Sequence, residues 1–136
     1  MTVGAFRPVV VARLAGWRVE DDREGAALKA SLPYLLVEFP PPLMGMDRWS
    51  SRDFTAYGTF TVTVVAASRR AAEGLHDAVE ARLADWVPVV PGWSTWPVSM
   101  ATRPRLQPPY TRIPDRVLHE VVTSWTWHAE PVTRTP

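Results

Sequence analysis

Apolar and polar residues alternate with a period of two up to Ala67, and at Ser68 the period changes to three or four. Phe54, Ala56, Phe60, Val62, Val64 and Ala66 share one parity, while Thr55, Tyr57, Thr59, Thr61 and Thr63 share the other. Side chains alternate across a strand, so residues 54–67 predict a long strand with one apolar and one hydroxyl-rich face. Its β-branched and aromatic content fits that assignment. Beyond Ser68, the residues Ala72, Leu75, Val79, Leu83 and Trp86 form the apolar stripe of an amphipathic helix over 69–86. Ser68 is placed to cap it, Glu73 lies near its positive end, and Pro88 is placed to stop it. A long strand feeding straight into a helix, each with one apolar side, predicts a sheet with a helix packed across it.

The flanking segments extend this pattern. Phe6 to Trp17 predicts a first helix, with Pro8 in its first turn, Gly16 at its end and Phe6, Val10, Leu14 and Trp17 on one side. Residues 18–31 are polar and hold the acidic run Glu20-Asp21-Asp22, which lacks the ligand spacing of a calcium loop and reads as a solvated turn. Tyr34 to Phe39 is apolar on both parities, which predicts an interior strand that Pro40-Pro41-Pro42 ends. In the following loop, Leu43, Met44, Met46 and Trp49 must fold back on the domain or dock on a neighbour. Val89 to Trp96 reads as an irregular connection and Val98 to Arg105 as a strand with Val98 and Met100 facing inward. Gln107 to Asp115 reads as a proline-rich loop, Arg116 to Trp127 as the last strand, and residues 129–136 as an extended arm. The expected fold is therefore α+β: a single mixed or antiparallel sheet of about four or five strands with two helices on one face, in one domain spanning 1–136.

Composition narrows the function classes. With 136 residues, 46% of them aliphatic or aromatic, the chain can bury one core. No apolar run approaches the ~20 residues of a membrane helix, and the N-terminus does not read as a signal peptide, so no membrane partner is expected. A net charge of +1 gives no general affinity for nucleic acid. Arg103, Arg105, Arg112 and Arg116 nevertheless cluster late in the chain, as a local basic patch or as scattered solvated surface. With no cysteine there are neither disulfides nor thiolate metal sites. Seven tryptophans are unusual in this length, and the residue type favours both buried sites with a polar tip and protein contacts, so the seven are expected to divide between core and interface.

Candidate chemistry is sparse. His76 reads as lying on the exposed side of its helix, and His119 and His128 have opposite parity on one strand, so no shared metal site and no cofactor is expected. There is no nucleophile elbow, no phosphate loop and no dinucleotide glycine pattern, and the acids read as solvated faces; enzymatic activity is not expected. Trp93, Trp96, Arg103 and Arg105 together raise the alternative of a stacking platform with a cationic groove for single strands.

The order of these segments carries a resemblance. Leu32-Pro33-Tyr34, the strand Tyr57 to Val65, Ser68-Arg69 followed by Leu75, Ala78, Val79 and Leu83, and then Pro91-Gly92 resemble the tail terminator (tail completion) proteins of long-tailed bacteriophages, particularly those of actinobacterial viruses. The resemblance covers the chain from about Ser31 onward; the stretch Val19 to Lys29 departs from it. It implies a structural virion protein that forms a ring, usually of six copies, on the finished tail tube. Such a ring ends tube polymerisation and offers a docking surface for the head connector. The implied partners are further copies of the chain, the tail tube protein and the connector, with DNA passing through the lumen. Met44, Met46, Arg48 and Trp49 are the first candidates for such contacts, followed by Arg103, Arg105 and the arm with Val132 and Arg134. A head-completion or connector protein of the same neck is the nearer alternative, and a nucleic-acid-binding module the more distant one.

Overall fold

Two long strands form the spine of the sheet. In the computed structural model, which describes residues 3–20, 32–40, 56–113 and 116–132, strand β3 (Ala56–Ala66) and strand β8 (Arg116–Pro131) pair antiparallel from Ala56↔Ala129 to Ala66↔His119. On the other side of β3 lies β2 (Tyr34–Glu38), antiparallel to it, and beyond β2 lies β1 (Val19–Glu20), parallel to β2. Strand β2 thus has neighbours on both sides, and its residues Tyr34 to Val37 are all buried, as an interior strand requires.

The free side of β8 carries one interrupted strand in four pieces: β4 (Trp93–Thr95), β5 (Ser99–Met100), β6 (Arg105–Leu106) and β7 (Tyr110–Ile113). Each gap inserts one or two residues more than β8 spends on the same distance; Thr95 faces Ala129 and Ser99 faces Thr126, for example. Pro97, Pro104, Pro108 and Pro109 fall in these gaps. Proline cannot donate to a ladder and is confined to edges and bulges, so the breaks follow from the sequence. The amides of Trp96, Ala101 and Gln107 still bond to carbonyls of β8 and hold the breaks against it. Among the described residues, eight strand segments therefore occupy five positions in a mixed sheet, and the α+β class holds.

Helix α1 (Val3–Arg13) and helix α2 (Arg69–Leu83) pack on the same face. Phe6 and Val10 of the first, Leu14 just past its end, and Ala72, Val79 and Leu83 of the second share a core with Phe60, Val62 and Val64 of β3 and with Trp125 and Trp127 of β8. Ser68 caps α2 as expected: its Oγ accepts from the Ala71 amide at 3.1 Å, and its own backbone is extended.

Several boundaries differ from expectation. Helix α1 begins at Val3, so Pro8 lies inside it and not in its first turn. The helix ends before Gly16, whose φ of +101° suits the turn that follows. Helix α2 ends at Leu83, ahead of Pro88, because the chain turns at Asp85 with φ of +60° and the Asp85 amide bonds to the Val98 carbonyl. Residues 93–95 and 110–113, read as connection and loop, are edge strand. The proposed arm begins later than residue 129: β8 runs on to Pro131, with Ala129 fully buried and β4 paired beside it.

Candidate interaction surface

The second face of the sheet is the hydroxyl ribbon and its neighbours. Cross-strand register sets Thr59 opposite Thr126 and Thr61 opposite Ser124, with Ser99 of β5 flanking Thr126. Thr61 Oγ1 and Ser124 Oγ lie 3.2 Å apart, and Ser99 Oγ and Thr126 Oγ1 2.7 Å, so hydroxyls link β3, β8 and β5 side by side. One end of this face is closed by a small apolar cluster of Tyr34, Val65 and Leu118 with Leu32 against it.

At its other end the face carries an aromatic group. His128 stacks on Trp96 with ring centroids 4.5 Å apart, and Tyr57 meets His128 edge-on at 6.2 Å. Tyr57 is 55% exposed and Trp96 37%. The parity of the sequence places Tyr57 and His128 on this face, but only the pairing of β3 with β8 makes them neighbours. Trp96 joins them because its amide bonds to the His128 carbonyl across the first gap of the edge strand.

The residues expected at contacts are distributed as follows. Arg103 and Arg105 are both exposed on the interrupted edge, and Arg105 faces Val122 in register. Val132 is 57% exposed just past β8, with its amide bonded to the Gly92 carbonyl. Met44, Met46, Arg48, Trp49 and Arg134 lie outside the described residues. The two tryptophans of the stacking-platform reading are not brought together: Trp93 packs against the helix-side core, whereas Trp96 lies on the hydroxyl face.

His76 is the other departure. It was expected on the exposed side of α2 and is 4% exposed, between Ala72 and Val79 on the core-facing stripe. The i and i+4 spacing that set the stripe includes position 76 as well. Its polarity had suggested otherwise.

No family model matches the chain, and no curated protein does. Four solved structures match. One, whose name describes no function, aligns over 98% of this chain and 99% of its own with a TM-score of 0.63 and 19% identity. At that identity the likeness is one of fold, an α+β single-sheet domain over the full length. Among the described residues, no helix is long and apolar enough to cross a membrane.

Proposed function

We propose that the chain is a structural virion protein whose copies form a ring on the end of a phage tail tube, ending tube growth and presenting a docking surface to the head connector. The observation that carries this reading is the order of elements. A first helix, the short strand β1, a short buried strand with Tyr34, a long strand running into a capped helix, a proline-broken strand and a long closing strand succeed one another, an order that, β1 apart, supports the resemblance. Among the described residues, the interrupted edge and the Tyr57 and Trp96 end of the hydroxyl face are exposed, which supports contact surface there. A ring needs unlike, head-to-tail surfaces that close by rotation, together with distinct upper and lower faces. The two described helices pack on the same face of the sheet, which supports unlike sides.

The test is native mass and electron microscopy of the purified chain, alone and with tail tubes. Annuli that cap tubes are the expected result; a chain that stays a single subunit at high concentration with tubes supplied defeats the reading. In the parent virus, loss of a terminator gives overlong tails, whereas loss of another neck protein leaves tails of normal length unattached. Filter binding to single-stranded DNA across a salt series separates the nucleic-acid alternative, which requires a steep salt slope.

A further inference from the structure

We propose that α2 holds, where its core-facing stripe meets its solvent side, a divalent transition-metal site of the zinc type, made by the buried His76, the half-buried Glu80 and the exposed Asp77. On a helix, positions i and i+4 are neighbours, and so are i+1 and i+4, so these three residues form one triangular patch. Their ligand atoms all lie within 4.8 Å of one another.

The patch is more than a cluster of acids because of His76. Its side chain is 5% exposed, and among the described residues neither ring nitrogen has a hydrogen-bond partner. A buried polar group left unpaired is costly, and native structures rarely keep one without water, an ion or a partner. The Nε2 atom lies 3.4 Å from Glu80 Oε2, close enough for an ion pair but without the geometry of a hydrogen bond. Two ligands of a tetrahedral zinc, each about 2.0–2.2 Å from the ion, stand roughly 3.3–3.6 Å apart. The pair is therefore spaced as two ligands of one ion. Asp77 is exposed and free to swing in as the third, with solvent in the fourth position. Imidazole with two carboxylates suits zinc, and also cobalt as a spectroscopic substitute. The site is independent of the ring reading, since it faces away from the hydroxyl side of the sheet.

The experiment uses the tag-free full chain, stripped with chelator and titrated with Zn²⁺ by calorimetry and with Co²⁺ by visible absorption. One equivalent is expected to bind, and the melting temperature is expected to rise with free Zn²⁺ by mass action. Glu80→Gln is expected to weaken binding about tenfold or more. His76→Leu, which continues the apolar stripe and keeps the fold, is expected to abolish it, and Glu73→Gln is expected to leave it unchanged. Circular dichroism verifies that each variant is folded. Absence of stoichiometric uptake, or uptake that either His76→Leu or Glu80→Gln leaves unchanged, overturns the proposal.

Discussion

At the scale of single residues, Gly58 shows how one missing side chain positions a large one. It faces Trp127 directly across β3 and β8. A Cβ at Gly58 would stand 2.9 Å from Trp127 Cζ2 and 3.0 Å from two further indole atoms. The indole therefore lies flat over the glycine, and from there it stacks on Phe6 of α1 at 4.7 Å. Gly58→Ala pushes the ring off this seat and disturbs the contact that docks the first helix. Overpacking of this kind costs about 1–3 kcal/mol, so the urea midpoint is expected to fall with an unchanged slope. A midpoint within error of the parent would show that the indole has room to move. In the sequence, Trp127 ends the last predicted strand and Gly58 shares parity with the apolar ribbon. Nothing in either residue alone showed that they meet, because the register of two strands distant in sequence decides it.

At the scale of elements, the two helices are joined at their C-terminal ends by a reciprocal pair of arginines. Arg13 Nε donates to the Arg82 carbonyl at 2.9 Å, while Arg82 Nη1 donates to the carbonyls of Ala15 and Arg13. Each guanidinium also lies over a tryptophan, Arg82 over Trp17 at 4.0 Å and Arg13 over Trp86 at 5.5 Å. Cations placed at the negative ends of two helices, donating to the last free carbonyls, complement both dipoles at once. Arg82→Lys keeps the charge but loses the planar fork and the stacking. It is expected to cost about 1–2 kcal/mol, close to the effect of Arg82→Ala. A double-mutant cycle with Arg13→Ala is expected to give a coupling of about 0.5–1.5 kcal/mol; strict additivity would mean that the two arginines act separately. Ser68→Ala is a milder change at the other end of α2, expected to cost about 1 kcal/mol in thermal melts through the lost cap. The cap, the stripe and both long strands were legible because local chemistry and periodicity set them. The arginine pair was not, since residues 13 and 82 meet only after both helices dock. Residues 93–95 and 110–113 of the edge strand were read as connection and loop because the prolines beside them are real interruptions. Residues 98–105 were read as one strand, although it breaks between Met100 and Arg105; β8 holds all the pieces.

At the scale of the whole molecule, the broken edge governs how copies can meet. An uninterrupted edge strand invites another chain to extend the sheet, and repetition of that contact gives open-ended assemblies. Pro97, Pro104, Pro108 and Pro109 deny a second chain a continuous ladder here. Contacts on this side then fall to side chains, among them the exposed Arg103 in the second break and Arg105 and Leu106 just after it. Side-chain contacts carry a defined geometry, which a closed ring needs and a fibre does not. The overall plan of one sheet with two helices on one side was readable from periodicity, whereas which edge stays free depends on long-range pairing. Under the proposed ring, Arg103→Glu with Arg105→Glu is expected to leave the melting temperature of the single subunit nearly unchanged, because exposed substitutions away from caps and cores rarely exceed about 0.5 kcal/mol. The same double change is expected to lower the yield of annuli in native mass measurements, with the parent chain restoring them at equal concentration. If annuli form as readily with both charges reversed, this edge faces solvent in the assembly and the subunits meet elsewhere. If the parent itself gives no annuli, the ring reading fails before the edge is tested, so the two failures are told apart by the parent sample.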